Sequence, residues 1–282
     1  MIKLVVSDMD GTLLNKSNRV TKESVNAIQK MQEQGKKFVI ITGRDPEEMK
    51  KFWKETGIVC DVLCANGACV LSSDGSVKYK HMLSYEQVEK ISNVFEQYDL
   101  VPTFYSDKGA ISLLLPHEYF IHLKEVMVPA FQLLVPNAIF TDEDLMDIVK
   151  QTIFTKKDHL KEYEIFKVIT KSVDLERLYK AKEEVKKLSG ISSVSTSKAY
   201  IEANEIKAQK GIALKEYAKE HGISLEEVIA IGDNENDSSM LSIPEIQSVA
   251  MGNAIEEIKN VCKYETKTND EDGVAYVIHH LI

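Results

Sequence analysis

Asp8-Met9-Asp10-Gly11-Thr12 follows a short, largely apolar run, Ile2–Val6, with only Ser7 between. Two carboxylates two residues apart project to the same side of an extended chain. At such separations they repel, unless a cation sits between them or one keeps its proton. The spacing therefore points to a bound metal ion, or to a pair of acids in different protonation states. Gly11 lets the chain turn sharply just beyond them. Three more segments have chemical potential. Thr42-Gly43-Arg44 ends the buried run Phe38–Ile41, and a hydroxyl with backbone N–H groups at a helix start suits phosphate oxygens. Gly232-Asp233-Asn234-Glu235-Asn236-Asp237 ends the buried run Val228–Ile231. Its row of oxygen-bearing side chains suits a hard cation such as magnesium. Lys210-Gly211 opens a helical stretch. A lysine there is a mobile positive charge for a phosphate, although in isolation it reads like any surface lysine.

The elements that must position these residues follow from periodicity and caps. Ile2–Val6, Phe38–Ile41, Val62–Ala65, Val228–Ile231 and Val249–Met251 read as buried strands. Thr21 caps a helix whose Val25, Ile28 and Met31 share one face and which Gly35 stops. Asp45 and Pro46 supply the N-cap and first position of a second helix, ended by Gly57. Lys207–His221 is helical up to Gly222, Ser224 with Glu227 makes a capping box, and Gly273–Leu281 is a closing helix. Strands alternating with helices imply a parallel sheet with helical crossovers, and such a sheet gathers its strand ends along one edge. The middle differs. Helical patterns (Tyr85–Gln97, Leu175–Leu188) lie among strand-like runs at Ala110–Leu115, Phe166–Thr170, Ser193–Thr196 and Tyr200–Ala203. The chain is thus expected to be α/β, with a core built from 1–82 and 206–282 and a smaller inserted α/β domain over 83–205.

Composition narrows the function. A chain of 282 residues is long enough for two domains. Its net charge of −9 disfavours nucleic acid as a partner, though not a small phosphorylated molecule bound at a local positive site. No apolar run approaches the roughly 20 residues of a membrane span. Without an evident address, a cytoplasmic location is expected. Cys60, Cys64, Cys69 and Cys262 show no Cys-x-x-Cys pair and read as reduced thiols rather than zinc ligands. His81, His117 and His122 read as surface or packing residues.

Taken together, Asp8-Met9-Asp10-Gly11-Thr12, Thr42-Gly43-Arg44, Lys210 and Gly232-Asp233 with Asp237 resemble the four motifs of the haloacid dehalogenase-like (HAD) superfamily. Asn66-Gly67-Ala68, Met251-Gly252-Asn253 and the run from Asn269 to Ala275 resemble its Cof-type subgroup. Only about Leu83–Leu188 lacks diagnostic residues. The resemblance implies a Rossmann-like core, a C2B-type cap, bound Mg²⁺ and phosphatase chemistry on small phosphate esters such as sugar phosphates or flavin-related phosphates. It implies Asp8 as nucleophile and Asp10 as general acid and base. It places Met9, Thr42, Gly43, Lys210 and Asn236 around the phosphate. Asp8, Asp10 (through its carbonyl) and Asp233 would surround the metal, with Asn234 and Asp237 as further contributors; Asp237 could instead anchor Lys210. Alternatives stay open: a phosphomannomutase-like phosphotransferase, which needs several cap arginines where Leu83–Glu205 offers only Arg177, or a non-catalytic phosphometabolite-binding regulator. The state is expected to be monomer or homodimer.

Overall fold

The computed structural model describes residues 1–133, 135–194 and 198–281. The chain divides into two compact units. One is Met1–His81 with Lys207–Ile282, the other Met82–Ile206.

The first unit begins with β1 (Leu4–Ser7), α1 (Lys22–Glu33), β2 (Lys37–Ile41), α2 (Pro46–Thr56), β3 (Asp61–Cys64), β4 (Cys69–Leu71) and β5 (Val77–Tyr79). The second unit follows with α3 (Tyr85–Gln97), β6 (Thr103–Ser106), β7 (Gly109–Ser112), α4 (Pro116–His122), α5 (Val128–Gln132), α6 (Asp142–Gln151), β8 (Ile153–Phe154), β9 (Ile165–Lys171), α7 (Leu175–Lys186), β10 (Ile191–Val194) and β11 (Tyr200–Glu205). The first unit then closes with α8 (Lys210–Glu220), β12 (Val228–Gly232), α9 (Ser238–Leu241), β13 (Gln247–Ala250), α10 (Glu256–Val261), β14 (Tyr264–Glu265) and α11 (Gly273–Leu281).

Among the described residues, the first unit carries an eight-stranded sheet in the order β14-β13-β12-β1-β2-β3-β4-β5. It is parallel from β14 to β3, and β4 and β5 extend it antiparallel. β1 lies between β12 and β2, every residue of β1 and β12 is buried, and so is all of β2 except Lys37. Fully buried parallel strands explain the unbroken apolar runs in the sequence. The segments that follow β1, β2 and β12 therefore emerge side by side at one sheet edge.

The helix caps are local and match their sequence signals. Asp45 accepts from the N–H groups of Glu47 and Glu48, while Glu48 accepts from Asp45 N–H, closing a capping box. Gly57, at φ 73°, ends α2. Thr21 accepts from Ser24 N–H at 3.1 Å and caps α1. Strand limits shift by a residue or two: β1 starts at Leu4 rather than Ile2, and β13 ends at Ala250, with Met251 N–H still bound to Gly232 O of β12. Helix α8 begins at Lys210, not Lys207, with Gln209 extended as its N-cap.

The second unit's six-stranded sheet runs β10-β11-β9-β6-β7-β8, antiparallel apart from β7 with β8. Its core joins Val88, Ile91 and Phe95 of α3 and Leu178, Ala181 and Val185 of α7 to Phe104, Val168 and Ile201 on the strands. The strand expected over Ser193–Thr196 is present up to Val194; its last two residues lie outside the described ones.

Candidate functional site

Asp8 leaves β1 with its N–H bound to Ile231 O of β12, so its side chain stands at the junction of the two central strands. It is 5% exposed. Lys210, the first residue of α8, reaches it with Nζ 2.5 Å from Asp8 Oδ1 and 2.7 Å from Asp237 Oδ1. Gly211 is required for that reach, since a Cβ there would collide with the backbone of Ser239. Asp237 is fully buried. Its other oxygen accepts from the N–H groups of Asp233 (2.8 Å) and Asn234 (3.1 Å). Both its oxygens are therefore engaged. Asn234 Oδ1 accepts from Glu235 N–H at 2.8 Å, and Asn236 is half-buried on the same turn.

Asp233 is 9% exposed and lies within hydrogen-bonding reach of Asp8. Its Oδ1 accepts from Thr12 Oγ1 at 2.7 Å. Gly11, at φ +87°, brings the backbone against this carboxylate: a Cβ would lie 2.5 Å from Asp233 Oδ2.

The electrostatics follow from this crowding. Burial raises Asp8 well above the ordinary carboxylate range, the charge of Asp237 adds to it, and Lys210 opposes both. Asp233 is pushed up to about 6 by burial and then by Asp237, against the Thr12 hydrogen bond. Burial alone would lower Lys210, but Asp237 and Asp8 hold its proton and raise it. Oxygens of Asp8, Asp233 and Asp237 lie within 4.8 Å of one another around that one cation. Three carboxylates with one ammonium leave a surplus of negative charge, and two carboxyls in mutual reach need a proton or a cation between them. The donors are all hard oxygens, and with both Asp237 oxygens engaged it is Asp8 and Asp233 that fit a magnesium ion.

Asp10 departs from the expected arrangement. Two-residue alternation would set it beside Asp8, but β1 ends at Ser7 and the chain turns, with Leu14 N–H bound to Met9 O. The Asp10 side chain is 51% exposed, outside the carboxylate cluster, and Arg44 grips it: Nε to Oδ2 at 3.0 Å and Nη2 to Oδ1 at 2.5 Å. The carboxylates beside Asp8 are Asp233 and Asp237, brought by β12. Met9 is fully buried and packs into the core.

After β2, buried Thr42 accepts from Arg44 N–H at 3.2 Å. A short turn pins this segment: Ala65 N–H donates to Arg44 O and Asn66 N–H to Thr42 O. Ala65 and Asn66 hold φ of 49° and 56°. Left-handed backbone at non-glycine residues costs about 1–2 kcal/mol each, which those two hydrogen bonds help offset. The structure thus brings together Asp8, Lys210, Asp233 and Asp237, and sets Asp10 and Thr42 on the neighbouring loops.

Sequence reasoning missed four contributors. Thr12 and Arg44 were inside motifs but had no role. Asn253 donates to Gly11 O and accepts from Asn269 N–H, and Asn269 donates to Leu14 O. These two asparagines tie the loop after β1 to the loops after β13 and β14; their signal was membership of the two C-terminal motifs.

A family model described as haloacid dehalogenase-like hydrolase matches residues 5–278. Phosphatase YwpJ of Bacillus subtilis (strain 168) is 30% identical over 293 aligned residues, with all of both chains covered. The same organism's 5-amino-6-(5-phospho-D-ribitylamino)uracil phosphatase YwtE is 29% identical over 288, covering 100% of this chain and 98% of that one. A solved haloacid dehalogenase-like hydrolase from B. subtilis superposes over the whole of both chains with TM-score 0.82 and 29% identity. The HAD subclass IIB sugar phosphatase BT4131 matches at TM-score 0.75 and 21% identity, over 99% and 98% of the two chains, a likeness of fold.

Proposed function

We propose a division of labour and a substrate class for this chain, which belongs to the haloacid dehalogenase-like hydrolase family, in its Cof-type branch, and is a phosphoric monoester hydrolase. Asp8 is the nucleophile. Its oxygen bonds to phosphorus as the ester P–O bond breaks, giving an aspartyl-phosphate. Asp10 gives a proton to the departing oxygen, then takes one from the water that cleaves the acyl phosphate. The observation that carries this reading is the convergence of Asp8, Lys210 and Asp233 at the ends of two adjacent buried strands and the start of α8.

Mg²⁺ held by Asp8 and Asp233, with the Asp10 carbonyl, would screen the repulsion between the Asp8 carboxylate and an anionic phosphate. Asp237 serves as anchor rather than ligand, because Lys210 and two backbone N–H groups occupy its oxygens. Asn234 has its oxygen on Glu235 N–H and stays a lesser contributor to the metal. Thr42, Lys210, Asn236 and the amides of Met9 and Gly43 hold the transferring oxygens, so catalysis is positioning and charge neutralisation.

The substrate is a small phosphorylated metabolite, either a sugar phosphate or a flavin-related phosphate of the kind named for YwtE. The inserted unit acts as the cap that selects it. Arg177, the one arginine there, is paired with Asp174 at 3.2 Å, which supports hydrolysis over a mutase needing a second phosphate site. No helix among the described residues is long and apolar enough to cross a membrane. The four cysteines are free thiols, in keeping with a cytoplasmic location.

Phosphate release from p-nitrophenyl phosphate, with Mg²⁺ and with EDTA, tests the reaction. Ranking kcat/KM over sugar phosphates and the ribitylaminouracil phosphate tests the substrate class. Turnover unaffected by EDTA would remove the metal, and wild-type turnover by Asp8→Asn would remove the nucleophile.

A further inference from the structure

We propose that Arg44 is a positioning residue for the proton-transfer group, aiming the Asp10 carboxyl through a two-point grip; this rests on the reading of Asp10 given above. The geometry is specific. Two guanidinium nitrogens meet two different Asp10 oxygens, at 3.0 and 2.5 Å. A fork on both oxygens fixes the plane of the carboxyl as well as its place, which a single hydrogen bond does not.

Asp10 needs such a support. It sits beyond the end of β1 with its side chain half exposed, whereas Asp8, Asp233 and Asp237 are each buried and held by several groups. A carboxyl that must deliver a proton along one line loses effectiveness when free to rotate.

Arg44 is itself held. Its carbonyl accepts from Ala65 N–H and its own N–H donates to Thr42 Oγ1, so its backbone is part of the turn that carries the phosphate-side threonine. The guanidinium thus couples the loop after β2 to the loop after β1. Arg44 also lines a cavity of about 690 Å³, together with Glu48 and Phe52 among others. Glu48, one turn into α2, adds a second negative charge near the guanidinium. The hydrogen bonds of the fork go to Asp10.

During the first half-reaction the Asp10 O–H bond breaks as the proton moves to the ester oxygen whose bond to phosphorus is breaking. Esters with poor leaving groups depend on that proton; those with good ones depend on it less. Loss of aim therefore shows as steeper dependence of kcat/KM on leaving-group quality.

The experiment compares wild type, Arg44→Gln, Arg44→Lys and Asp10→Asn on p-nitrophenyl phosphate and phenyl phosphate. A positioned acid supplies about 10²–10⁴-fold. Arg44→Gln is expected to lose about 10-fold or more on phenyl phosphate and several-fold less on p-nitrophenyl phosphate, in the direction of Asp10→Asn. Arg44→Lys, which keeps the charge but not the fork, is expected to lie nearer Arg44→Gln than wild type. Equal losses on both esters, a change confined to KM, or full recovery by Arg44→Lys would each overturn the proposal. If Asp10→Asn steepens the dependence and Arg44→Gln does not, Asp10 keeps its role and Arg44 loses this one. If Asp10→Asn itself changes nothing, the reading of Asp10 fails first. Thermal unfolding of each variant, run first, sets an assay temperature at which all four proteins are folded, so the comparison of esters reads catalysis alone.

Discussion

Replacing Lys210 by Met keeps the side chain's length and removes its charge. In the wild type Nζ lies 2.5 Å from Asp8 and 2.7 Å from Asp237, with 0% of the lysine side chain exposed. Taking one partner from a buried charge network costs about 3–5 kcal/mol, because the remaining charges are left uncompensated. With a urea slope of about 2–3 kcal/mol per molar, the unfolding midpoint should fall by about 1–2.5 M. The pH dependence has a definite sign. Asp8 and Asp233 are raised even with the lysine present. Without it the folded state binds their protons more readily, so protonation relieves the damage as pH falls. The assay is urea unfolding of both proteins in EDTA at about pH 8 and about pH 5, with the loss smaller in acid. An equal shift at both pH values, or almost none at the higher one, would refute the reasoning that Lys210 compensates buried carboxylates.

Three further outcomes are expected. Asp233 is raised from its unfolded value to about 6 in the fold. Its contribution is therefore most favourable below the unfolded value near 4 and is lost as pH climbs through about 6; Mg²⁺ should raise Tm more at about pH 8 than at about pH 5, checked by thermal scans with and without the ion. Gly11→Ala should displace Asp233 and strain a positive-φ turn, costing about 1–3 kcal/mol and raising the Mg²⁺ needed for half-maximal activity; an unchanged Mg²⁺ titration would contradict it. Asp45→Ala should cost about 0.5–2 kcal/mol through loss of the α2 cap, with kcat on p-nitrophenyl phosphate moving much less than stability.

What the sequence made legible is what local chemistry decides. Asp45, Pro46 and Gly57 bound α2 because caps act within one turn. Asp8, Thr42 and Asp233 could be placed at strand ends because buried strands announce themselves as apolar runs. Partnerships across the chain were not legible. The Thr12–Asp233 hydrogen bond spans 221 positions and exists only because β1 and β12 are neighbours. Asp10 was misplaced for the converse reason: alternation holds only while the strand lasts, and β1 stops at Ser7. In the inserted unit α6 was missed although Thr141 and Asp144 form a capping box ahead of Leu145 and Val149.

The central claim is that phosphate passes through Asp8. Acid quenching of Asp10→Asn during exposure to p-nitrophenyl phosphate and Mg²⁺, followed by peptide mass spectrometry, reads this directly. The variant should accumulate one phosphoryl group, on the peptide containing Asp8, since the water-activating base is gone. Phosphate release by Asp8→Asn at the wild-type rate, with no phosphoryl group on Asp8 in Asp10→Asn, would contradict it.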